Sequence, residues 1–205
     1  MPSVFPDWDR GVLHLSRADE IMAGLIAEHR GETLQPRGDL FLTLLRSIVG
    51  QQISVKAADT VWGRLIEKSG GCTPGRISCL SLEQIRSAGL TRMKSEYVLG
   101  IAENPEPLLE ARWEEFDDEQ VIELLTSYRG VGRWTAEMVM IFGLCRPDVM
   151  STGDLGLRKA VARRYLQSKD ISEEVMLEIA GIWRPWRSVA SWYLWRSLDP
   201  IAVEY

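Results

Sequence analysis

Two apolar-periodic runs, VIELLTSY at 121–128 and RWTAEMVMIFGL at 133–144, meet across the turn Gly130-Val131-Gly132. Helical spacing on both sides of so short a break predicts a hairpin of two helices. Two glycines separated by one residue let the chain turn tightly and bring bare backbone close to a ligand. The helix that starts at Arg133 presents free N–H groups and its positive dipole end beside that turn. Such a construction suits one backbone phosphate, gripped without regard to sequence. Some twenty residues farther on, a single carboxylate, Asp154, stands just before a third helical stretch, LGLRKAVARRYL.

Almost every other long segment also reads as helix. Ser16-Arg17-Ala18-Asp19 introduces EIMAGLIAEHR, which should end at Gly31. Asp39 is placed to cap LFLTLLRSIVG, and Ser54 to open VKAADTVWGRLIEKS, closed by Gly70-Gly71. Shorter helices fit SLEQIRSAG and MKSEYVLGIAEN, while Asp117-Asp118 starts the first hairpin helix. Ser172-Glu173-Glu174 and the segment from Pro185 complete the set. No alternating strand pattern, βαβ rhythm or internal repeat is present, so the expected class is all-α.

The chain has 205 residues, enough for one sizeable core or two small lobes. No stretch approaches the roughly 20 apolar residues of a membrane span, and no membrane partner is expected. The N-terminus MPSVFPDWDRG lacks a basic start followed by an apolar run, so no secretory signal is read. Cys72, Cys79 and Cys145 lack metal-ligand spacing and are expected to be reduced thiols of a cytoplasmic protein. The net charge of −5 argues mildly against nucleic acid, yet its distribution is uneven. From Ser127 to Tyr165 seven basic residues face three acidic ones, whereas Glu103 to Glu123 holds nine carboxylates and only Arg112. The acidic run reads as a solvated face. The basic stretch, on the hairpin side, is expected to contact phosphate.

Three segments together resemble the helix-hairpin-helix (HhH-GPD) DNA glycosylases, and among them the bacterial 3-methyladenine DNA glycosylase II group. They are IVGQQISVKAA at 48–58, the hairpin with Asp154, and WRPWRSVASWYLW at 183–195. Their order spans the chain from about residue 38 to residue 198. The resemblance implies a two-lobed helical protein with an interlobe cleft. One lobe would combine the N- and C-terminal helices; the other would run from about 50 to 145 and hold the hairpin at 119–144. Only about 35 residues precede the helix at Leu40, so the N-terminal β domain of that group is not expected. The four-cysteine iron–sulfur loop of some relatives is not expected either, since no cysteine follows Cys145.

On its own Asp154 reads as an ordinary helix N-cap. The resemblance makes it the catalytic carboxylate, which would stabilise an oxocarbenium-like deoxyribose and orient or deprotonate the attacking water. Trp134, on its own a core aromatic, lies where bifunctional relatives carry a nucleophilic lysine. An indole cannot form a Schiff base, which implies a monofunctional enzyme. Trp134 and Trp195 would wall a base pocket and favour cationic bases such as N3-methyladenine and N7-methylguanine. Most other C-terminal aromatics, Trp183, Trp186, Trp192 and Tyr193, read as core.

The Gln pair reads by default as a buried polar loop or cap. By resemblance Gln51 and Gln52 face the minor groove, Gln52 filling the gap left by a flipped nucleotide. Ser54 and Lys56 would contact phosphate nearby, and Arg92 and Lys94 would add to this from a helix start. Arg129, Arg133 and the backbone of Gly130, Val131 and Gly132 would hold backbone phosphate, with Glu137 paired to Arg133 at i,i+4. Carbonyls of Thr126, Tyr128 and Val131 match those that bind a structural sodium or potassium ion in the family. His14 and His29 receive no catalytic role. The partner implied is double-stranded DNA with alkylated bases. The protein would act as a monomer without a catalytic cofactor, nucleoid-associated in a bacterium. Two rival readings stand beside this one: a glycosylase for deaminated or oxidised bases, and a non-catalytic binder of damaged DNA.

Overall fold

Helix caps set most element boundaries in the computed structural model, which describes residues 5–198. Asp19 ends α1 (Trp8–Ala18) and caps α2 (Glu20–Glu28): its Oδ1 accepts from Ile21 N at 2.8 Å and Met22 N at 3.1 Å. Eight helices follow in the unit Arg37–Leu144. They are α3 (Leu40–Gly50), α4 (Val55–Ser69), α5 (Pro74–Ser78), α6 (Leu82–Arg86), α7 (Arg92–Glu103), α8 (Glu106–Glu110), α9 (Asp118–Thr126) and α10 (Arg133–Phe142). The remaining helices, α11 (Leu155–Tyr165), α12 (Glu173–Gly181) and α13 (Arg187–Arg196), join α1 and α2 in a second unit. No strand occurs among the described residues, so the fold is all-α.

In the first unit α3 is the central element. Leu44, Leu45 and Ile48 are sealed from solvent, each contributing about 1.5–3 kcal/mol of burial. It packs on α10, whose residues 135–142 are all buried, and on α4, α7 and α8. This unit therefore begins at Arg37, whose N–H donates to Phe142 O at 3.1 Å, and not near residue 50. A helix as apolar as LFLTLLRSIVG needs partners all round, and the hairpin supplies them.

The second unit is built from both ends of the described chain, residues 5–36 and 145–198. Trp8 packs edge-on to Trp192, at 5.3 Å between ring centroids, and close to Tyr193. Asp19 holds the two ends together. Its Oδ2 accepts from Trp183 Nε1 at 2.9 Å and from the Tyr165 hydroxyl. Burial, first, and the Asp19 carboxylate push the Tyr165 phenol well above its ordinary pKa. Helix α1 lies upstream of the helix expected after Ser16. Its buried face carries Trp8, Gly11 and Leu15, and Gly11 meets Trp186 and Val189 so closely that a Cβ would stand 3.0 Å from the indole. A glycine thus occupies a core position where the periodicity needed an apolar side chain.

Candidate functional site

The loop before α11 is tied down at several points. Asp148 forms a bidentate pair with Arg187 at 2.6 and 3.0 Å and meets Arg184 at 3.1 Å. The Ser188 hydroxyl donates to Arg146 O and accepts from Val149 N, at 2.6 and 3.0 Å. These contacts fix the entry to α11, where Asp154 is the N-cap. Its Oδ1 accepts from Leu157 N at 2.6 Å and from Trp195 Nε1 at 2.9 Å. Asp154 is 4% exposed, and a Cβ on Gly156 would stand 3.2 Å from that oxygen. Two donors, one from the helix start and one from an indole 41 residues away, thus fix the plane of a buried carboxylate. Trp195 is 1% exposed, so its visible contribution is this hydrogen bond and not an open stacking face. The aromatics Trp183, Trp192 and Tyr193 are core.

The hairpin joins α9 to α10 through residues 127–132. Gly130 has φ +86°, and a Cβ there would stand 2.1–2.4 Å from the Tyr97 ring, so glycine is required twice over. Gly132 differs: it has φ −98° and nothing lies within 4 Å of the place a Cβ would take. Gly132 is the N-cap of α10 and supplies no side-chain acceptor, so first-turn amides of α10 are left for an outside acceptor. Arg129 is exposed, 3.6 Å from Glu96 and with its guanidinium 5.6 Å from the Tyr97 ring centre. Arg133 is held by two carboxylates, Glu119 at 2.8 Å and Glu137 at 3.2 Å, and the Glu119 hydrogen bond, chiefly, raises its pKa further. The i,i+4 pair with Glu137 is present as expected, but Arg133 contacts phosphate only by giving up part of that pairing. Trp134 is half-buried at the second position of α10. Thr126 lies in the last turn of α9, where carbonyls lack helical partners, and Tyr128 O accepts only from Val131 N at 3.1 Å among backbone donors. With Val131 these carbonyls are the oxygen donors a monovalent cation takes.

The QQIS loop separates its two glutamines. Gln51 faces inward: its Nε2 donates to Gly130 O and Thr135 Oγ1, both at 3.0 Å, tying the loop to the hairpin. This matches the default reading of a polar tie and corrects the assignment of Gln51 as a DNA contact. Gln52 is exposed at φ +59°, a left-handed conformation that turns its side chain off the Gln51 course. Lys94 is no solvent residue. Its Nζ donates to Val49 O at 2.9 Å and to Gln51 O, closing the end of α3, and burial lowers its pKa. Ser54 caps α4, accepting from Ala57 N at 3.3 Å, and Lys56 is exposed. The long basic stretch is divided: Arg129 and Arg133 stand on the hairpin unit, and Arg146, Arg158, Lys159, Arg163 and Arg164 on the unit with Asp154.

Sequence pattern alone could not have found the Lys94 closure, the Gln51 tie or the Ser188 clamp, since each acts largely on main-chain carbonyls. The three cysteines are free, with Cys72 and Cys145 buried, and burial pushes Cys145 up to about 11.

Comparison with known proteins gives concordant matches. The model of the family described as HhH-GPD superfamily base excision DNA repair protein matches residues 45–185. DNA-3-methyladenine glycosylase 1 of Schizosaccharomyces pombe is 32% identical over 194 residues, covering 90% of this chain and 85% of that protein. A solved structure of a 3-methyladenine DNA glycosylase from that yeast in complex with abasic DNA superposes with TM-score 0.84 at 29% identity, over 96% of this chain and 100% of the other. The DNA-3-methyladenine glycosidase of Bacillus halodurans superposes with TM-score 0.74 at 33% identity, over 95% and 92% of the two chains.

Proposed function

The chain belongs to the HhH-GPD superfamily of base excision DNA repair proteins, and on that premise we propose that it is a monofunctional DNA-3-methyladenine glycosylase of the type II group. Its partner is double-stranded DNA carrying alkylated bases, bound by a monomer. The observation that carries this reading is the buried Asp154 carboxylate, fixed in plane by Leu157 N and Trp195 Nε1. As the bond from C1′ to the base nitrogen breaks, its electron pair leaves with the base and positive charge grows on the sugar. A preorganised carboxylate stabilises that charge without having to reorganise. Water then bonds to C1′ and its proton passes by way of Asp154 to solvent, leaving an abasic site. A cationic 3-methyladenine or 7-methylguanine departs as a neutral base, so one carboxylate suffices.

Trp134 is our candidate for a stacking face, where cation–π attraction adds about 0.5–2 kcal/mol for a charged base. Gln52 fills the gap left by the extruded nucleotide. Gln51 and Lys94 position that loop rather than touch DNA. The Gly130–Gly132 backbone and Arg129 hold phosphate, with Ser54 and Lys56 close in sequence to the Gln loop. A sodium or potassium ion on the Thr126, Tyr128 and Val131 carbonyls would aid that grip and take no part in bond cleavage.

Duplexes each carrying one modified base test the proposal. Release of 3-methyladenine and 7-methylguanine should outpace hypoxanthine, uracil and 8-oxoguanine, with strand breaks only after alkali. Fastest release of a neutral base would overturn the cation–π account, and a borohydride-trapped adduct would overturn the monofunctional one.

A further inference from the structure

A second basic surface lies on the unit that carries Asp154. Gly153, Leu155, Arg158, Lys159, Lys169 and Asp170 line an open cavity of about 460 Å³ beside the first turn of α11. Three cations face one carboxylate there, and that carboxylate is engaged. Asp170 Oδ1 accepts from Arg158 Nη2 at 2.9 Å and from Ile171 N at 2.8 Å, and the Arg158 contact, first, lowers its pKa. Lys159 and Lys169 are exposed and have no ion-pair partner among the described residues. Exposed Arg163 follows Lys159 by one helical turn and extends the charged face. Leu155, the first residue of α11, is 71% exposed, an apolar side chain kept in water at the lip of a cationic cavity.

We propose that this cavity seats a backbone phosphate of the damaged strand, one that flanks the nucleotide whose sugar Asp154 acts on. The proposal rests on the glycosylase reading above and adds to it a phosphate site separate from the hairpin. Three features carry it. Lysine ammonium groups are mobile point charges that suit a phosphate without demanding a fixed bidentate geometry. The positive end of the α11 dipole adds to their field at the same place. The lining also includes Leu155, the residue directly after Asp154. Since each deoxyribose is bonded to a phosphate on either side, a sugar at Asp154 brings a phosphate to the neighbouring residue. Leu155 then packs against the sugar edge beside that phosphate, which accounts for its exposure in the free protein.

The test compares the parent with Lys159→Gln/Lys169→Gln, measuring duplex affinity across a salt series, melting temperature and competition by inorganic phosphate. Both side chains are exposed, so the melting temperature should hold. Affinity for unmodified and abasic-analogue duplexes should fall by about tenfold at 0.1 M salt. The slope of log K against log salt should become shallower by about two, one for each lost phosphate contact. A parent that excises 3-methyladenine beside a variant with unchanged affinity and slope would overturn the site and leave the glycosylase standing. A shallower slope with a parent that releases no base would uphold the phosphate site and sink the glycosylase reading. If the substitutions alter competition by inorganic phosphate but not duplex binding, the cavity takes free anions and the proposal fails.

Discussion

Asp154→Asn keeps an oxygen that can accept from Leu157 N and Trp195 Nε1, and removes the negative charge. The helix cap should therefore survive, since Asn is as good an N-cap as Asp. Base release should fall by about 100-fold or more, while affinity for duplex DNA is kept or strengthened. Single-turnover excision of 3-methyladenine and a parallel binding titration separate the two effects; parent-like excision would return Asp154 to a purely structural role. The position was legible because cap preferences are local, acting within three residues. The Trp195 donor was not, since periodicity says nothing about an indole 41 residues away. For the same reason the sequence treats Gln51 and Gln52 alike. A left-handed Gln52 backbone sends one side chain to the hairpin and the other to solvent.

At the scale of the element, the two hairpin glycines make separable predictions. Gly130→Ala forces a Cβ into the Tyr97 ring at a positive φ, so it should cost about 2 kcal/mol or more of stability along with DNA binding. Gly132→Ala meets no atom within 4 Å and has an ordinary φ, so the melting temperature should barely move. Its methyl nevertheless stands beside the first-turn amides of α10, and duplex affinity should fall. Thermal melts with filter binding decide this: equal effects of the two substitutions on stability would refute the assignment of Gly132 to ligand approach. The helices themselves were largely readable, because Asp39, Asp117, Ser54 and Ser172 all accept from N2 or N3 amides, as their positions predicted. Helix α1 was not, because its buried face is interrupted by Gly11, chosen for contact with Trp186. The five-residue helices α5 and α8 lacked the length over which a period can show.

For the molecule as a whole, the unit that holds Asp154 closes only when both ends of the described chain meet at Asp19. Asp19→Ala removes the α2 cap and strands the Tyr165 hydroxyl and the Trp183 N–H, which should cost about 3 kcal/mol or more in denaturant unfolding. A Tyr165→Phe background should shrink that loss, because one stranded group is gone; an unchanged loss would show that the network contributes nothing beyond the cap. Net charge sets the last expectation. A chain of −5 is repelled from DNA as a body, so binding has to come from local cationic surfaces. Division of the basic residues between two units means that neither surface alone supplies the whole interaction. Duplex affinity should therefore fall steeply with salt despite the acidic charge balance. Arg129→Ala should weaken binding to every duplex by a similar factor and flatten the salt slope by about one, because a guanidinium near only Glu96 at 3.6 Å and the Tyr97 ring loses little on turning to phosphate. Titrations of matched and lesion-bearing duplexes between low and physiological salt read this directly: a salt-independent affinity would remove the electrostatic account, and a loss confined to lesion-bearing duplexes would place Arg129 at the base instead of the backbone.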